Sequence, residues 1–381
     1  MRSPFFLVIL FSGPSAAFAA PPSQLNWCHL LEPAAQQRAP VAAPLQRVLA
    51  VAEAALAQDF SAVKELHLEG TLDGDSAHQA SQAAVKDLTK VLDLAACARA
   101  AAAPLQPRCK DKALAAVLAW ARTYEPTGNP INENRLIPIL RAADLLSPLL
   151  DDSTRAEIFA FAAKLASQGD AFYRSMKPTD KRIPNNWGTW RLAIRSLAAT
   201  VTNDAALRAD TAKLWRDHLS ANIKSDGSTF DFSERDALDY HLYDLEAYTT
   251  AITQTPAEFP DAWEKKTIAS AFAFVRPYYV GEKQHVEFLH TTVAFDIKRR
   301  DAGQAAFQNV PWKPETARNL LRTARPFFPE IQAWSQNVVD EQYDPSVKLM
   351  AAACGDGADA KPKKSAAGSA SEKRGNSGAA Y

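Results

Sequence analysis

The chain has 381 residues, with 43 basic and 43 acidic side chains, so its formal net charge is zero. This balance excludes a protein that holds nucleic acid through a large excess of positive charge, although a local basic cleft could still bind an anionic polymer. Hydrophobic residues make up 47% of the sequence, and a chain of this length can bury the core of one large domain.

The first segment has the pattern of a secretory signal peptide. Arg2 provides the positive start, residues 5–11 form an apolar run, and Ala17 and Ala19 frame a small-residue cleavage site. The apolar run is far shorter than the roughly 20 residues that span a bilayer, so no membrane span is predicted here. We therefore expect residues 1–19 to be removed and the mature protein to be periplasmic or secreted.

Helical spacing of apolar residues dominates the rest of the chain. Asp152 and Asp204 precede alanine-rich runs and are good helix N-cap residues. The segments with helical spacing are residues 47–59, 81–103, 112–123, 135–150, 153–167, 190–201, 205–223, 237–252, 260–278 and 314–325. Strand signals are few and short, as at residues 286–288.

This succession of helices without a sequence repeat predicts an all-α fold. We expect an α/α toroid, an incomplete α/α barrel of antiparallel helix pairs, with the loops at one end lining a cleft. It would form a single large domain over residues 20–354, most simply as a monomer. Residues 355–381 are rich in Ala, Gly, Ser and Lys and are predicted to be a disordered basic tail.

Four cysteines are compatible with an oxidising compartment. Cys97 and Cys109 lie close together in the sequence, so we expect them to pair, which leaves Cys28 and Cys354 to join the two ends. Four cysteines allow three connectivities, and this is the preferred one. No Cys or His cluster has metal-ligand spacing, so neither a metal nor a cofactor is predicted.

Two segments about fifty residues apart carry most of the polar chemistry. Residues 184–190 read Pro-Asn-Asn-Trp-Gly-Thr-Trp, and residues 226–241 include Arg235, Tyr240 and His241. Consecutive Asn residues before a helix are also typical of a turn and an N-cap, so spacing alone favours a structural role for the first segment. Together, however, the segments supply amides, a phenol, an imidazole and guanidinium groups.

These motifs resemble those of the alginate lyase family, helical polysaccharide lyases that act on polyuronates. The resemblance covers roughly residues 115–330. In the family, an Asn-Asn-His motif opens a barrel helix, its second Asn contacts the substrate carboxylate, and its His is catalytic. Asn186 matches that Asn, but Trp187 stands where the His should be. A Trp cannot exchange protons, so another residue must do the work of the His, or the chain no longer catalyses.

The second segment looks like the family stretch Arg-Ala-Leu-x-Tyr-His-x-Tyr, whose first Tyr is the catalytic phenol, although Asp236 stands between the Arg and the Ala here. The resemblance therefore implies that Tyr240 is catalytic, with Arg235 as the nearest guanidinium. Adjacent residues of a helix point about 100° apart, so His241 serves either the same site or the core, and the two options weigh about evenly. His285 is a further candidate to replace the missing His.

The catalytic candidates are Asn186 and Tyr240, which the resemblance implies, and Arg235, His241 and His285, which we infer from their positions. The family's Arg stands seven residues before its Tyr, where this chain has Ser233, so Arg235 is not a direct match. The substrate-binding candidates are the residues around the Asn pair: Lys181, Arg182, Asn185, Trp187 and Trp190. The aromatic rings suit stacking on a sugar, although core positions explain at least half of the aromatic residues in this region equally well.

The function implied is a lyase that cleaves a 1,4-linked polyuronate, alginate-like or glucuronan-like, by β-elimination. Its partner is an anionic polysaccharide. The alternative is a non-catalytic polyuronate-binding or export-associated toroid that has lost turnover. A hydrolase is a third option, because Asp226, Asp231, Glu234 and Asp236 could supply a carboxylate pair, but such clustering also suits helix N-terminal electrostatics.

Overall fold

The computed structural model of the chain describes residues 39–335, except residues 256, 257, 260 and 326. The predicted signal peptide and basic tail lie outside these residues, as do Cys28 and Cys354. The part of the chain that is described is helical, as expected. Among its helices, none combines the length with the apolar character that crossing a bilayer would require.

The α-helices of the described residues, with three-residue and four-residue 3₁₀ turns between some of them, are α1 (Ala39–Ala55), α2 (Ser76–Val85), α3 (Leu88–Ala100), α4 (Leu105–Thr123), α5 (Pro130–Glu133), α6 (Ile137–Leu146), α7 (Asp152–Arg174), α8 (Asn186–Val201), α9 (Ala205–Asn222), α10 (Phe230–Arg235), α11 (Leu238–Gln254), α12 (Ala262–Tyr279), α13 (Ala294–Asp301), α14 (Arg318–Ala324) and α15 (Pro329–Gln332). Asp204 caps α9 by accepting a hydrogen bond from the Leu207 N–H, as its position before the helix predicts.

The single helix expected over residues 81–103 is wrong, because the chain forms α2 and α3 there. Ser81 ties α2 to the preceding loop by accepting a hydrogen bond from the His67 N–H at 2.8 Å. The following helix instead buries nearly its whole length against α1, α4 and α6. Two different packing partners require two helix directions, and the break falls at Lys86 and Asp87.

The strand predicted at residues 286–288 is also wrong. Val286 forms an isolated bridge with Pro311, and Phe288 then turns the chain through a positive φ of 58°. An L residue seldom adopts this conformation, and extended pairing cannot continue through it. The segment serves instead as a support beneath the start of α11.

Helix α8 is the centre of the fold. It packs against α6, α7, α9 and α11, and every one of its 16 residues except Arg191 is buried. Its sequence is correspondingly apolar or small on all sides, which is the pattern of a helix enclosed by others. Because α8 begins at Asn186, this enclosure also fixes the position of the Asn pair.

The disulfide between Cys97 and Cys109 is present and confirms the expected pairing. Its Cα atoms are 5.8 Å apart, and it joins α3 to α4 across a separation of 12 residues. Closing a loop of this size restricts the unfolded chain and stabilises the fold by about 3 kcal/mol in the chain-entropy description.

A buried polar network locks the first turns of α8 to α9 and α11. The Thr189 hydroxyl contacts His218 Nε2 at 2.7 Å and donates to Asp244, which also accepts from Asn222 at 2.5 Å. Burial lowers the pKa of His218 to about 3, so the imidazole is neutral at physiological pH. His218 is therefore a structural residue of the core.

We expect Gly188→Ala to destabilise the protein. An added Cβ would lie 2.3 Å from the Ile183 carbonyl oxygen and 2.5 Å from His218 Cε1. Alanine favours a helix over glycine by about 1 kcal/mol, but backbone and a buried ring cannot yield cheaply, and overpacking typically costs roughly 1–3 kcal/mol. Denaturant unfolding should show a net loss of about 1 kcal/mol or more.

The control is Gly74→Ala, where an added Cβ meets nothing within 4 Å. This variant should unfold within about 0.5 kcal/mol of the wild type, as surface substitutions usually do. Equal stability of the two variants would contradict the close approach of α8 to His218.

Candidate active site

The N-terminus of α8 opens onto a cavity of about 1060 Å³. Part of the lining, the motif wall, comes from the two segments that carry the motifs, and a second part comes from α2 and from α13 with the turn that follows it. The motif wall includes Asn185, Asn186, Trp187, Arg235, Tyr240 and Tyr243, and the second part includes His78, Gln79, Gln82, Phe295, Arg299 and Phe307.

The Asn pair begins α8 and is held from two directions. Asn185 is the N-cap, and its side-chain oxygen accepts a hydrogen bond from the Trp187 N–H at 3.0 Å. Asn186 donates twice to the Asp231 carboxylate, from its backbone N–H at 2.6 Å and from its side-chain amide at 2.5 Å. Both Asn side chains are buried yet line the cavity.

The same carboxylate reaches Arg235. Asp231 accepts from Arg235 Nε at 3.3 Å, and Arg235 Nη1 donates to Asp296 of α13. Burial raises the pKa of Asp231 to about 6, although Arg235 and the two Asn186 donors work against that rise. Burial alone would lower the pKa of Arg235, but Tyr240, Asp231 and Asp296 outweigh burial and keep the guanidinium charged.

Tyr240 lies on α11 beside this network. The Arg235 guanidinium carbon is 4.0 Å from the centre of the phenol ring, and Arg299 Nη1 approaches the hydroxyl oxygen at 3.4 Å. Burial raises the pKa of the phenol above its usual value, while Arg235 and Arg299 lower it and Asp296 raises it. A phenol, an amide and two guanidinium groups therefore converge on one cavity.

Comparison with known proteins agrees with this arrangement. The sequence matches the alginate lyase family over residues 31–285. This chain belongs to the alginate lyase family. The family predicted from the motifs is therefore confirmed. None of the curated proteins compared by sequence matches the chain.

Solved structures of alginate lyases share the fold. The enzyme from Bacteroides ovatus superposes with a TM-score of 0.59 at 15% identity, covering 87% of this chain and 99% of that chain. Alginate lyase A1-III from Sphingomonas species A1 gives a TM-score of 0.54 at 15% identity, covering 88% and 99%. A histidine-to-alanine variant of A1-III complexed with a tetrasaccharide gives 0.55 at 16% identity, covering 82% and 93%. The α/α toroid predicted from the sequence is confirmed.

Trp187, which replaces the family His, takes a partly structural position. Its ring stacks on Phe172 with centroids 5.9 Å apart and planes 16° apart, and the Arg182 guanidinium lies 5.2 Å from its centre. The side chain is only 7% exposed, although it lines the cavity. Trp187 therefore contributes an apolar wall, with one ring face already covered by Phe172.

Neither histidine proposed as a catalytic base faces the cavity. His241 Nδ1 accepts from the Thr229 N–H at 3.3 Å, so the ring proton lies on Nε2, which donates to the Ala271 carbonyl at 3.0 Å. Burial lowers the pKa of His241 to about 4, and the ring is fully enclosed. The reason is the 100° turn between neighbours on a helix, which points Tyr240 at the cavity and His241 into the core.

His285 is held elsewhere as well. Its Nε2 donates to the Asp236 carbonyl oxygen at 3.0 Å, and its ring packs against Phe232 and Tyr278. It supports the loop that leads into α11 and does not line the cavity. The placement of His241 and His285 in the catalytic group is therefore corrected.

Among the predicted substrate-binding residues, Trp190 does not line the cavity, so its assignment is also corrected. It belongs to the hydrophobic core, is 4% exposed and packs on Tyr243 with centroids 5.2 Å apart. One helical turn separates it from the cavity edge, so it faces the interior of the fold. The other predicted contacts, Asn185, Trp187, Lys181 and Arg182, all line the cavity.

Lys181 and Arg182 reach the cavity as members of ion pairs. Lys181 pairs with Glu234, and Arg182 pairs with Asp180, with Nη2 and Oδ2 2.7 Å apart. Of the four carboxylates considered for a hydrolase, Glu234 alone lines the cavity. Among these four, the pairing of Glu234 with Lys181 and the burial of Asp231 leave no adjacent pair facing the cavity for acid and base catalysis of hydrolysis.

The part of the lining outside the motifs was not among the predicted site residues. Arg299 lies in the basic run 298–300, which has the pattern of a solvated surface but is also compatible with binding a uronate, and His78 lies on a helix with no motif. The available signal was Phe295, four residues before Arg299, because an aromatic residue and an arginine at this spacing share a helix face. Within the described ranges, no three His, Cys, Asp or Glu side chains are grouped to hold a metal ion.

A buried carboxyl group supports the start of α11. Glu287 accepts hydrogen bonds from the Leu238 N–H at 2.9 Å and the Asp239 N–H at 3.4 Å, two of the N–H groups that a helix leaves without partners in its first turn. Burial raises the pKa of Glu287 from 4.5 to about 8, with Asp239 adding to the rise. Glu287 therefore stabilises the turn that presents Tyr240.

We expect Glu287→Gln to become more stable relative to the wild type as pH rises from about 4.5 to about 8. The folded wild type holds its proton over this range and the unfolded chain releases it, so wild-type stability falls with pH. Glutamine keeps an acceptor but cannot ionise. The difference in unfolding free energy should change by at most about 1.4 kcal/mol per pH unit. A difference that is independent of pH would contradict a buried neutral Glu287.

Proposed function

We propose that this protein is a polysaccharide lyase that cleaves a 1,4-linked polyuronate, alginate-like or glucuronan-like, by β-elimination. The observation that carries the proposal is that one cavity brings together the Tyr240 phenol, the Asn186 amide and the Arg235 guanidinium. Family membership supports the chemistry. The cavity, about 1060 Å³, lies at the upper end of the roughly 300–1,000 Å³ of ligand sites and suits an oligosaccharide.

The reaction requires a stabilised carbanion. The proton on C5 of a uronate is weakly acidic, and negative charge moves into the C6 carboxylate as it leaves. Donors aimed at that carboxylate lower the barrier most. A guanidinium has five N–H groups, and Asp231 and Asp296 occupy only Nε and Nη1 of Arg235, so other donors remain for the substrate. The second amide proton of Asn186 is available in the same way.

The route of the proton depends on which side chains face the cavity. Because His241 and His285 lie outside it, and both ring nitrogens of His78 are bonded to neighbouring side chains, Tyr240 is the group placed to act as both base and acid. Its phenolate takes the C5 proton, the C5–H electrons form the C4–C5 double bond, and the bond from C4 to the glycosidic oxygen breaks. The phenol then returns its proton to that leaving oxygen, which restores the phenolate.

One residue that performs both steps imposes a stereochemical requirement. The C5 proton and the leaving oxygen must lie on the same face of the sugar ring. β-D-mannuronate and β-D-glucuronate meet this condition, whereas α-L-guluronate presents the two groups on opposite faces. We therefore propose a polymannuronate or glucuronan as the substrate.

Unpaired cations at the rim fit an anionic polymer. Lys86 and Arg135 are exposed, line the cavity and have no ion-pair partner among the described residues. They can meet the carboxylates of sugars that flank the reacting one. We further propose that the protein acts as a monomer in the periplasm or outside the cell, in keeping with the signal-peptide pattern and the Cys97–Cys109 disulfide.

The first test is product formation. Purified mature protein is incubated with polymannuronate, glucuronan and polyguluronate, and the ultraviolet absorbance of the unsaturated uronate is followed. We expect turnover of polymannuronate or glucuronan, and at least tenfold less with polyguluronate because of the same-face requirement. Binding of all three polymers without any product would support the non-catalytic alternative.

Replacing the phenol tests the mechanism. Tyr240→Phe removes the group that both accepts and returns the proton, so kcat should fall by at least about 10³-fold, since one positioned acid or base contributes about 10²–10⁴-fold. The matched control is Tyr279→Phe, because Tyr279 packs on Trp334 away from the cavity. Comparable losses in both variants would contradict the assignment of Tyr240.

A further inference from the structure

The Tyr240 oxygen is approached by a second guanidinium that the motifs do not include. Arg299 Nη1 donates to the Tyr240 hydroxyl oxygen at 3.4 Å. The Arg299 guanidinium is held between two rings, with its carbon 4.3 Å from the centre of Phe295 and 4.7 Å from that of Phe307. The side chain is therefore fixed by packing, and its direction is set by the cavity wall.

Arg299 differs from Arg235 in how its charge is compensated. Arg235 lies over the face of the phenol ring and forms ion pairs with the buried Asp231 and Asp296. Two carboxylates thus offset a single positive charge. No described carboxylate forms an ion pair with Arg299, whose donor is directed at the oxygen atom itself.

The chain needs such a charge because the histidines predicted to be catalytic lie elsewhere. His78 does line the cavity, but its two ring nitrogens are bonded to the Thr71 hydroxyl and the Gln82 amide, each at 2.8 Å. Trp187 cannot carry a proton, and His241 and His285 donate their ring protons to backbone carbonyls away from the cavity. A phenol in a partly dry cavity ionises only if a positive charge lies next to its oxygen. Arg235 lies over the ring and Arg299 lies next to the oxygen, and both lower the pKa of the phenol, which burial raises.

We propose that Arg299 is a positioning residue that stabilises the Tyr240 phenolate when it forms, and so supports the proton transfer that the missing motif histidine leaves to Tyr240. This inference rests on the proposed lyase function for its catalytic consequence. The interaction between the two side chains can be measured without any substrate. A guanidinium suits the task, because it stays protonated throughout the pH range of the reaction and presents a directed donor.

Other charged side chains also act on Tyr240. Arg235 and Asp231 come from α10, and Asp296 comes from α13 together with Arg299. Tyr243, on the same helix as Tyr240, lies with its ring centre 6.3 Å from that of Tyr240. The two carboxylates raise the pKa of Tyr240 and the two guanidinium groups lower it, so loss of Arg299 leaves Arg235 opposed by both carboxylates.

The proton balance is closed within the site. In its ionised form, Tyr240 takes the C5 proton and gives the same proton to the leaving oxygen, which restores the phenolate. Arg299 keeps all of its protons and donates a hydrogen bond that strengthens while the oxygen is negative. No oxidant, metal or further acid takes part in this step.

The experiment compares Arg299→Gln with Arg300→Gln in the full mature protein. Arg300 carries the same charge on the same helix, but it lies 3.8 Å from Asp301 and does not line the cavity. Tyrosine residues labelled with ¹³C at Cζ are titrated by NMR, and Tyr240→Phe identifies the Tyr240 signal. The pH dependence of kcat/KM is then measured on the polymer that the wild type cleaves.

We expect Tyr240 to titrate at higher pH in Arg299→Gln, and the rising limb of the pH profile to move by the same amount. Each unit of that shift lowers the rate on the limb about tenfold, and the loss shrinks as pH increases. Arg300→Gln should match the wild type in both measurements, and Arg299→Lys should recover part of the shift.

Three outcomes would overturn the inference. An unchanged Tyr240 titration with a raised KM would make Arg299 a substrate contact. A Tyr240 signal that remains that of the neutral phenol until the protein unfolds would exclude a phenolate. An equal shift of the Tyr240 titration in Arg300→Gln would show that the effect comes from the overall positive charge of α13 and not from Arg299 itself. If the wild type cleaves no polymer, the proposed function fails, while the titration still decides whether Arg299 controls Tyr240.

Discussion

The site depends on the bonds that one buried carboxylate makes. Asp231 accepts from the backbone and side chain of Asn186 and from Arg235, so it joins the start of α8 to α10. It satisfies a free N–H at the N-terminus of an enclosed helix, where an unpartnered donor would cost about 1–3 kcal/mol. The bonds that complete the fold thus also aim the amide and the guanidinium into the cavity.

The cations of the motif segments are paired with carboxylates. Lys181 with Glu234, and Arg235 with Asp231 and Asp296, leave little net field from the motif wall. The cations without such partners stand at the rim and on α13. In the proposed function, the polymer is recognised by where single charges are placed, which is how a chain with no net charge would suit an anionic substrate.

The sequence allowed the fold and the motif wall to be predicted, because both depend on local patterns. Apolar spacing located most helices, and the residues around Asn186 and Tyr240 lie close to each other in their motifs. The break before α3 depends on packing partners that spacing does not reveal. The same holds for Arg299, which lies 59 positions from Tyr240. The motif left the role of His241 open, because neighbouring residues on a helix point in directions about 100° apart.

The enclosure of α8 also bears on how such a site changes over time. Backbone atoms at positions 186 and 188 are fixed by Asp231 and by the close packing on His218, whatever side chain stands between them. Position 187 can therefore exchange an imidazole for an indole without moving its neighbours. The packing of α8 therefore fixes the geometry that holds a sugar acid. The residue that transfers the proton can change while this geometry is inherited unchanged.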